Sequence, residues 1–436
     1  MEGGVARIGP NMDRFIVEGG NPLRGEVRVA GAKNAVLKMM AAAILTDEPV
    51  VLSNVPRISD VAIMRETMAD IGFGWTDVDE HTIQLSARGP EWLFVPLEAA
   101  MKMRSSFILL GPLLARHGRV IISNPGGDRI GRRPVDLHVG AMQTLGASIE
   151  YRNGYYFARA DRLRGARIAF PYITVMGTEN AVLAACLAEG TTVIENAARE
   201  PEVDDLIAML RTMGARIERT APHVVEVEGV RSLSGVEHTV IGDRIEAGTF
   251  AVAAASTGGE VSITGFDATH LGAFADVLTQ MGVEHEALDA DGPKGVRVRG
   301  GSAGSVQPMA VETQPYPGLA TDLQAPLAVL MTQAAGESSI HETIYSDRLE
   351  YAAELVKMGA VIEVSDARHA RVAGPTPLHG RMVQIPDLRA GATLVLAALA
   401  AEGTSTISGV EHVDRGYEAF EAKLVDLGAR ISRVTD

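Results

Sequence analysis

The chain has 436 residues, 46% of them hydrophobic and 22% charged, so it is long enough for two or three globular domains and is not typical of a disordered protein. Its net charge of −15 argues against a nucleic-acid or membrane-surface partner, because both need a basic face. The sequence has neither the roughly eighteen consecutive apolar residues of a membrane span nor a secretion signal. Its single cysteine, Cys186, cannot form an internal disulfide. These features predict a cytoplasmic protein.

After a loose extension at residues 1–13 and a predicted strand at Arg14–Val17, one pattern recurs six times. Each repeat has an Ala/Leu-rich first helix, a β-branched strand, a second helix and a further strand. The first helices are predicted at Asn34–Leu45, Ser105–Arg116, Asn180–Ala188, Thr249–Ser256, Leu323–Ala334 and Gly391–Ala401. The strands after them are predicted at Val50–Ser53, Val120–Ser123, Thr192–Glu195, Val261–Thr264, Ser339–Glu342 and Thr404–Ser408. The second helices are predicted to begin near Asp60, Pro134, Pro201, Asp267, Asp347 and Asp414.

An aliphatic residue followed by glycine ends each second helix, where glycine takes the positive φ of a helix C-cap without strain. The six pairs are Ile71-Gly72, Leu145-Gly146, Met213-Gly214, Met281-Gly282, Met358-Gly359 and Leu427-Gly428. Because the first helices are apolar nearly all round, we expect them to be buried, with the second helices nearer solvent. The pattern predicts an α/β fold of six βαβαβ-type repeats. A solenoid is the weaker alternative, because no polar capping unit stands at either end.

Charged residues head four of the six predicted first helices. They are Lys33, Arg104, Asp322 and Arg389. A cation is unfavourable beside the free N–H groups of a helix N-terminus unless an anion is shared between the side chain and the helix. Three cations at equivalent positions therefore favour anion capture, and the alternative for each one is a solvated cap.

The segment Ser123–Asp136 is a long loop rich in glycine and arginine, which indicates either a functional loop or a mobile surface excursion. Its tail, Arg133-Pro134, favours a helix start. Arg415 is predicted to stand at the start of the last helix, where a surface ion pair is the alternative role. The sequence has no metal-binding, phosphate-loop, dinucleotide or nucleophile-elbow motif. We therefore expect no metal and no cofactor, with the chemistry carried by Lys, Arg, Asp and backbone amides.

Seven runs of the sequence are specific in combination. They are Gly31-Ala32-Lys33-Asn34-Ala35, Arg133-Pro134-Val135-Asp136-Leu137-His138, Glu195-Asn196-Ala197-Ala198-Arg199-Glu200-Pro201-Glu202, Asp243-Arg244-Ile245-Glu246, Thr321-Asp322-Leu323-Gln324, Asp387-Leu388-Arg389-Ala390 and Val413-Asp414-Arg415-Gly416-Tyr417-Glu418. Together they resemble the UDP-N-acetylglucosamine 1-carboxyvinyltransferases of the EPSP synthase family, from about Arg14 to the C-terminus. The resemblance implies a two-domain inside-out α/β barrel with three repeats in each domain. Residues 34–241, which carry the Ser123–Asp136 loop, would form one domain, and residues 14–33 with 242–436 the other.

The resemblance also implies a reaction. The enolpyruvyl group of phosphoenolpyruvate would pass to the 3′-hydroxyl of UDP-N-acetylglucosamine through a tetrahedral ketal that loses phosphate, the first committed step of peptidoglycan synthesis. This places the protein in cell wall biogenesis, cell shape, cell cycle and cell division, with these two small molecules as its partners. The implied contacts to phosphoenolpyruvate are Lys33, Asn34, Arg133, Arg389 and Arg415. The implied contacts to the UDP-sugar are Asn34, Arg104, Arg133, Pro134, Val135, Asp136, Leu137, Thr174, Val175, Gly177, Asp322 and Ile344. The implied catalytic residues are Lys33, Asp128, Arg415 and Asp322, the last as the base for the sugar hydroxyl.

The sequence departs from the family at three places. Asp128 stands where relatives usually have cysteine, so the group that protonates C3 becomes a question of carboxyl groups. We therefore expect the protein to be insensitive to fosfomycin, the epoxide that alkylates that cysteine. Thr174-Val175-Met176-Gly177 replaces a more usual Ser-Val-Gly-Ala near the diphosphate, and Leu319-Ala320 replaces Phe-Pro before the predicted base.

Two other functions are open. An EPSP synthase would share the fold and the donor, but it has no use for the Arg133–His138 run, because its acceptor lacks uracil. A non-catalytic paralogue that binds a UDP-sugar would need no base at Asp322.

Overall fold

The computed structural model describes residues 13–87, 93–127, 130–131, 133–288, 294–301 and 305–435. The chain divides into two compact units. We call the first the 29–244 unit; it contains Val29–Arg244 and Gln314–Ala320. The second, the 245–436 unit, contains the chain up to Arg28, Ile245–Thr313 and the chain from Thr321. These divisions differ by a few residues from the predicted domain boundaries, and residues 314–320 belong to the opposite unit from the one predicted.

The first part of the chain contains three repeats. In chain order its elements are β1 (Arg14–Glu18), β2 (Arg24–Arg28), α1 (Lys33–Ala42), β3 (Val50–Ser53), α2 (Ser59–Asp70), β4 (Phe73–Asp77), β5 (Ile83–Ala87), β6 (Phe94–Val95), α3 (Leu97–Lys102), α4 (Leu110–His117), β7 (Arg119–Ser123), α5 (Asp136–Thr144), β8 (Ser148–Arg152), β9 (Tyr155–Arg159), β10 (Arg167–Thr174), α6 (Val175–Ala185), β11 (Thr191–Ala197), α7 (Pro201–Thr212), β12 (Arg216–Ala221), β13 (Val224–Glu228) and β14 (Val236–Thr239).

Three further repeats follow. Their elements are α8 (Arg244–Ser256), β15 (Glu260–Thr264), α9 (Ala273–Gln280), β16 (Glu284–Ala287), β17 (Gly295–Arg299), β18 (Ala310–Glu312), α10 (Thr321–Thr332), β19 (Glu337–His341), α11 (Tyr351–Lys357), β20 (Val361–Asp366), β21 (His369–Ala373), β22 (Met382–Gln384), α12 (Leu388–Ala400), β23 (Thr404–Ser408), α13 (Phe420–Asp426) and β24 (Arg430–Val434).

Within the described residues, each unit has three four-stranded sheets of one topology. The strand orders are β14-β3-β5-β4, β6-β7-β9-β8 and β10-β11-β13-β12 in the 29–244 unit, and β2-β15-β17-β16, β18-β19-β21-β20 and β22-β23-β1-β24 in the 245–436 unit. The first two strands of each order are parallel and the other neighbours are antiparallel. The predicted six-repeat α/β fold is confirmed, with one correction. A repeat ends in two antiparallel strands rather than one, and in the last sheet the N-terminal strand β1 takes one of these two places.

The six glycines that follow the second helices adopt the backbone conformation predicted for them. Their φ angles are 93° at Gly72, 97° at Gly146, 102° at Gly214, 75° at Gly282, 105° at Gly359 and 92° at Gly428. The helix ends and the direction of the following strand are therefore set locally, by the residue type that tolerates positive φ.

The first helices form the centre of each unit. Nearly every residue of α1, α6, α10 and α12 is buried, as expected from helices that are apolar nearly all round. The second helices, such as α2 and α5, bury one face and expose the other. None of the helices built from the described residues combines the length and apolar character of a membrane-spanning segment.

Several predicted helix starts are wrong. The helices α9 and α11 begin at Ala273 and Tyr351, six and four residues after the predicted starts near Asp267 and Asp347. The helices α6 and α8 begin at Val175 and Arg244, five residues before the predicted starts at Asn180 and Thr249. The last helix, α13, begins at Phe420, so Arg415 ends a short 3-10 helix (Val410–Arg415) rather than starting α13.

Candidate active site

The charged residues predicted to precede the first helices lie within the first turns of those helices. Lys33 and Arg104 are the first residues of α1 and of a 3-10 helix at Arg104–Leu109. Asp322 and Arg389 are the second residues of α10 and α12. All four therefore lie next to backbone N–H groups that have no partner within their own helix.

Lys33 lies against a buried carboxylate. Its Nζ is 2.7 Å from Oδ2 of Asp60, and both side chains are almost fully buried. Its backbone N–H donates to Oδ2 of Asp243 at 3.3 Å. Asp60 thus supplies an anion that offsets the unfavourable placement of a cation at a helix N-terminus. Asn34, the next residue, is half-buried.

A second group of predicted residues surrounds the start of α5. Arg104 donates from Nη2 to the carbonyl of Pro134 at 3.2 Å, which ties the 3-10 helix to this segment. Val135 is buried, Asp136 is the exposed first residue of α5, and Arg133 and Leu137 are half-buried. The structure therefore brings Arg104 and the Arg133–Leu137 segment together.

The N-terminus of α6 is capped by the side chain of the residue that precedes the helix. Thr174 is the N-cap residue, and its hydroxyl accepts a hydrogen bond from the N–H of Gly177 at 3.4 Å. A Cβ on Gly177 would lie 2.5 Å from Cγ2 of Thr174, so any larger residue here would require the Thr174 side chain to move. Val175 begins the helix, and its first turn presents backbone N–H groups, which suit an anion such as a diphosphate.

In the 245–436 unit, Asp322 lies between two buried guanidinium groups. Its Oδ1 accepts from Nη2 of Arg348 at 2.5 Å, and its Oδ2 accepts from Nη2 of Arg389 at 3.0 Å. Both arginine side chains are only 4% exposed, whereas that of Asp322 is 24% exposed. Burial is the largest single influence on the pKa of Arg348 and acts to lower it, but the charges of its neighbours, Asp322 first and then Asp387, together outweigh burial. The pKa is therefore raised and the guanidinium stays charged.

Two contacts hold Arg389 in place, one to its backbone at the start of α12 and one between its guanidinium and an aromatic ring. Asp387 is the N-cap of α12 and accepts from the N–H groups of Arg389 and Ala390. The guanidinium of Arg389 lies 5.3 Å from the ring centroid of Tyr417, a cation–π distance. The Tyr417 hydroxyl is in turn 2.9 Å from the hydroxyl of Thr249.

Ile344 belongs to a turn organised by the fully buried Glu342. Oε1 of Glu342 accepts from the N–H groups of Ile344 at 2.7 Å and of Tyr345 at 3.0 Å, and its Oε2 accepts from the hydroxyl of Thr321 at 2.8 Å. Because its N–H is bound to Glu342, the Ile344 peptide has its carbonyl rather than its N–H to offer a ligand. The same carboxylate joins this turn to the start of α10, which carries Asp322.

Arg415 is half-buried and follows a residue held by a strong ion pair. Asp414 accepts two hydrogen bonds from Arg433, at 2.8 and 2.6 Å, and Arg433 also donates to Glu421 at 2.6 Å. The bidentate geometry fixes the turn that presents Arg415. Asp128 lies outside the described residues, so its catalytic role stays a prediction from the sequence. Among the described residues, no group of three His, Cys, Asp or Glu side chains is arranged to hold a metal ion.

Residues 17–424 match the family described as EPSP synthase (3-phosphoshikimate 1-carboxyvinyltransferase). The chain belongs to this family. Within it, the chain is 46% identical over 429 residues to UDP-N-acetylglucosamine 1-carboxyvinyltransferase of Acidobacterium capsulatum, covering 97% of this chain and 96% of the relative. It is 48% identical over 432 residues to the protein of that name from a Methylobacterium species, covering 97% and 99%. The resemblance seen in the sequence is thereby confirmed.

Two solved structures share the fold. The enolpyruvyl transferase NikO from Streptomyces tendae superposes with a TM-score of 0.87 at 28% identity, covering 98% of this chain and 100% of that one. The EPSP synthase from Acinetobacter baumannii has a TM-score of 0.74 at 18% identity, covering 97% and 100%, and shows the fold alone.

Two residues that organise the candidate site, Arg348 and Glu342, could not be predicted from the sequence. No sequence pattern indicates either residue, because their roles depend on contacts with residues more than twenty positions away in the chain. Another buried acid that was not predicted, Glu179 of α6, did leave a signal in the sequence. The run Asn-Ala-Val-Leu occurs at 34–37 and again at 180–183, so Glu179 stands in the third repeat where Lys33 stands in the first.

Proposed function

We propose that this chain transfers the enolpyruvyl group of phosphoenolpyruvate to the 3′-hydroxyl of UDP-N-acetylglucosamine and releases phosphate. The observation that carries the proposal is the carboxylate of Asp322 held between the buried guanidinium groups of Arg348 and Arg389. The name shared by relatives at 46% and 48% identity supports the choice of acceptor. Cytoplasmic location and a role in peptidoglycan synthesis belong to the same proposal.

The guanidinium pair suits the planar carboxylate of phosphoenolpyruvate, because guanidinium groups bind carboxylates with paired, charge-assisted hydrogen bonds. The Nε–H of Arg348 is buried and makes no hydrogen bond to any described residue, so this group has a donor to offer. A carboxylate bound there would compete with Asp322 for Arg348 and Arg389. Binding of phosphoenolpyruvate would thereby release the carboxylate oxygens of Asp322 from the two arginines and make them better proton acceptors.

The reaction then balances in two steps. In the addition, the sugar hydroxyl loses its proton to Asp322, its oxygen forms a bond to C2, and C3 gains a proton from an acid, for which Asp128 is the candidate. In the elimination, the C2–O bond to phosphate breaks, C3 returns a proton to the group that had donated it, and the proton held by Asp322 passes to the departing phosphate, which gives the enolpyruvyl ether and inorganic phosphate. Lys33, Arg133 and Arg415 supply the positive charge that the phosphate needs as it leaves.

The remaining predicted contacts belong to the acceptor. Asn34 and Ile344 would contact the amino-sugar, and Thr174, Val175 and Gly177 the diphosphate. The segment held by Arg104 would contact the uracil; its residues are Arg133, Pro134, Val135, Asp136 and Leu137.

Replacement of Asp322 by asparagine tests the role of the base. We expect Asp322→Asn to keep the fold and to lower turnover at least ~10²-fold, the low end for the loss of a positioned general base. The matched control is Asp366→Asn, an exposed aspartate of the same unit, which should leave turnover unchanged. A folded Asp322→Asn protein with nearly wild-type turnover would contradict the assignment.

A further inference from the structure

A buried asparagine in α6 joins three other segments of the 29–244 unit. The side chain of Asn180 is fully buried. Its Oδ1 accepts from the N–H of Gly111 at 2.7 Å, and its Nδ2 donates to the Phe107 carbonyl at 3.0 Å and to Nδ1 of His138 at 3.0 Å. The approach to α4 is close, since a Cβ on Gly111 would lie 2.3 Å from the Asn180 Oδ1. Every hydrogen of the Asn180 amide is used.

These partners settle the orientation of the amide and the tautomer of the histidine. The N–H of Gly111 can only donate and the Phe107 carbonyl can only accept, so the oxygen and nitrogen of the amide cannot be exchanged. The remaining amide hydrogen points at Nδ1 of His138, which must accept it, so the ring carries its proton on Nε2. Burial, with a smaller effect from the charge of Arg104, lowers the pKa of His138 to about 3, so the ring remains an acceptor at neutral pH.

The network holds the segment from Arg133 to Leu137 at both ends. At one end, Arg104 donates to the carbonyl of Pro134. At the other end, His138 follows Leu137 directly and is bound by Asn180. Phe107, which Asn180 also binds, lies in the same 3-10 helix as Arg104, and its ring meets the His138 ring edge-on with the centroids 5.4 Å apart. The two anchors of the segment are therefore joined to each other.

We propose that Asn180 is a positioning residue for the uridine part of the acceptor. Through His138 it holds residues 133–137 in the conformation that receives the base. The inference rests on the proposed function, which assigns this segment to uracil. It adds two residues, Asn180 and His138, that touch no substrate themselves and act through the segment between them.

Two variants test the proposal, with uridine 5′-diphosphate as the probe. Asn180→Asp keeps the acceptor for Gly111 but loses the donors to Phe107 and His138, and His138→Leu removes the acceptor for Asn180. We expect each to raise the Kd for uridine diphosphate, measured by calorimetry, and the KM for the UDP-sugar at least tenfold. The KM for phosphoenolpyruvate and kcat should change no more than threefold. His138→Asn places an oxygen as many bonds from Cβ as Nδ1 is, and should restore most of the affinity.

The control is Thr46→Val, which removes a buried hydroxyl of the same unit that accepts from the N–H of Glu48. It should leave the Kd unchanged. If the wild-type protein does not bind uridine diphosphate, the proposed function fails. If the wild type binds it and Asn180→Asp and His138→Leu bind equally well, the positioning role is wrong. If Asn180→Asp does not fold, the two His138 variants decide. The positioning role is overturned if His138→Leu and His138→Asn bind uridine diphosphate equally well. It is also overturned if kcat falls and both KM values rise by similar factors.

Discussion

Replacing Glu179 by glutamine should remove a pH dependence from the stability of the 29–244 unit. The carboxyl group of Glu179 is fully buried in α6, and neither oxygen has a hydrogen bond to any described residue. Its nearest cation is Lys38, whose Nζ lies 3.7 Å from Oε2 of Glu179. This ammonium group donates its hydrogen bond to the carbonyl of Asn34 rather than to Glu179. Burial raises the pKa of Glu179 to about 8 against the opposing effect of Lys38, and the charges of Glu202 and Glu200 raise it further.

The sign and size of the effect follow from linkage. An acid with a pKa of about 8 in the folded chain and 4.5 when unfolded binds an extra proton in the folded state between those two values. Its favourable contribution is present below pH 4.5 and is lost as pH rises towards and through 8. Between pH 6.5 and 8.5 the loss is about 2 kcal/mol. His138 acts in the opposite sense but below this window, because its depressed pKa costs stability only as pH falls below about 6.5.

Urea unfolding at pH 6.5 and 8.5 measures this difference. Both tryptophans of the chain, Trp75 and Trp92, lie in residues 29–244, so tryptophan fluorescence follows this unit. The free energy of unfolding should fall by about 2 kcal/mol more for the wild type than for Glu179→Gln. Glu80→Gln, an exposed glutamate, should keep the wild-type slope. The same slope in wild type and Glu179→Gln would show that Glu179 is already ionised at pH 6.5 and would refute the reasoning.

Two further predictions concern ligands. Arg133→Ala and Arg415→Ala should each weaken phosphoenolpyruvate binding by roughly 1.5–3 kcal/mol and weaken UDP-sugar binding less, because charge-assisted contacts to phosphate are lost; equal losses in calorimetry would mean that these cations serve the diphosphate. The wild-type protein should keep its activity in fosfomycin, whereas Asp128→Cys should become inactivated with time, because a thiolate attacks an epoxide more readily than a carboxylate does. A drug-derived mass adduct on the wild-type protein would contradict this.

Local signals predicted the repeats well. Strands β3 and β23 have the predicted bounds, and the six glycine caps have positive φ, because residue type alone decides these features. Long-range features were missed. The edge strands β14 and β2 pair with strands about two hundred residues away, and no local pattern indicates such a partner. The early start of α6 was missed because its first turns contain Gly177, Thr178 and Glu179, which suggest a loop until their burial is known.

The same contrast between local and long-range features holds for the candidate site. The helix-head charges at Lys33 and Asp322 could be found from the repeat pattern, because equivalent positions can be compared along one sequence. Their partners Asp60 and Arg348 could not, because an ion pair depends on the packing of elements that are not adjacent in the chain.

The central claim is that UDP-N-acetylglucosamine is the acceptor of the enolpyruvyl group, and one measurement tests it directly. Phosphate release should be followed with phosphoenolpyruvate and either UDP-N-acetylglucosamine or shikimate 3-phosphate as the second substrate. We predict rapid release with UDP-N-acetylglucosamine, accompanied by an enolpyruvyl ether product, and none above background with shikimate 3-phosphate. Release with shikimate 3-phosphate alone would identify the chain as an EPSP synthase, and release with neither would contradict an enolpyruvyl transfer function.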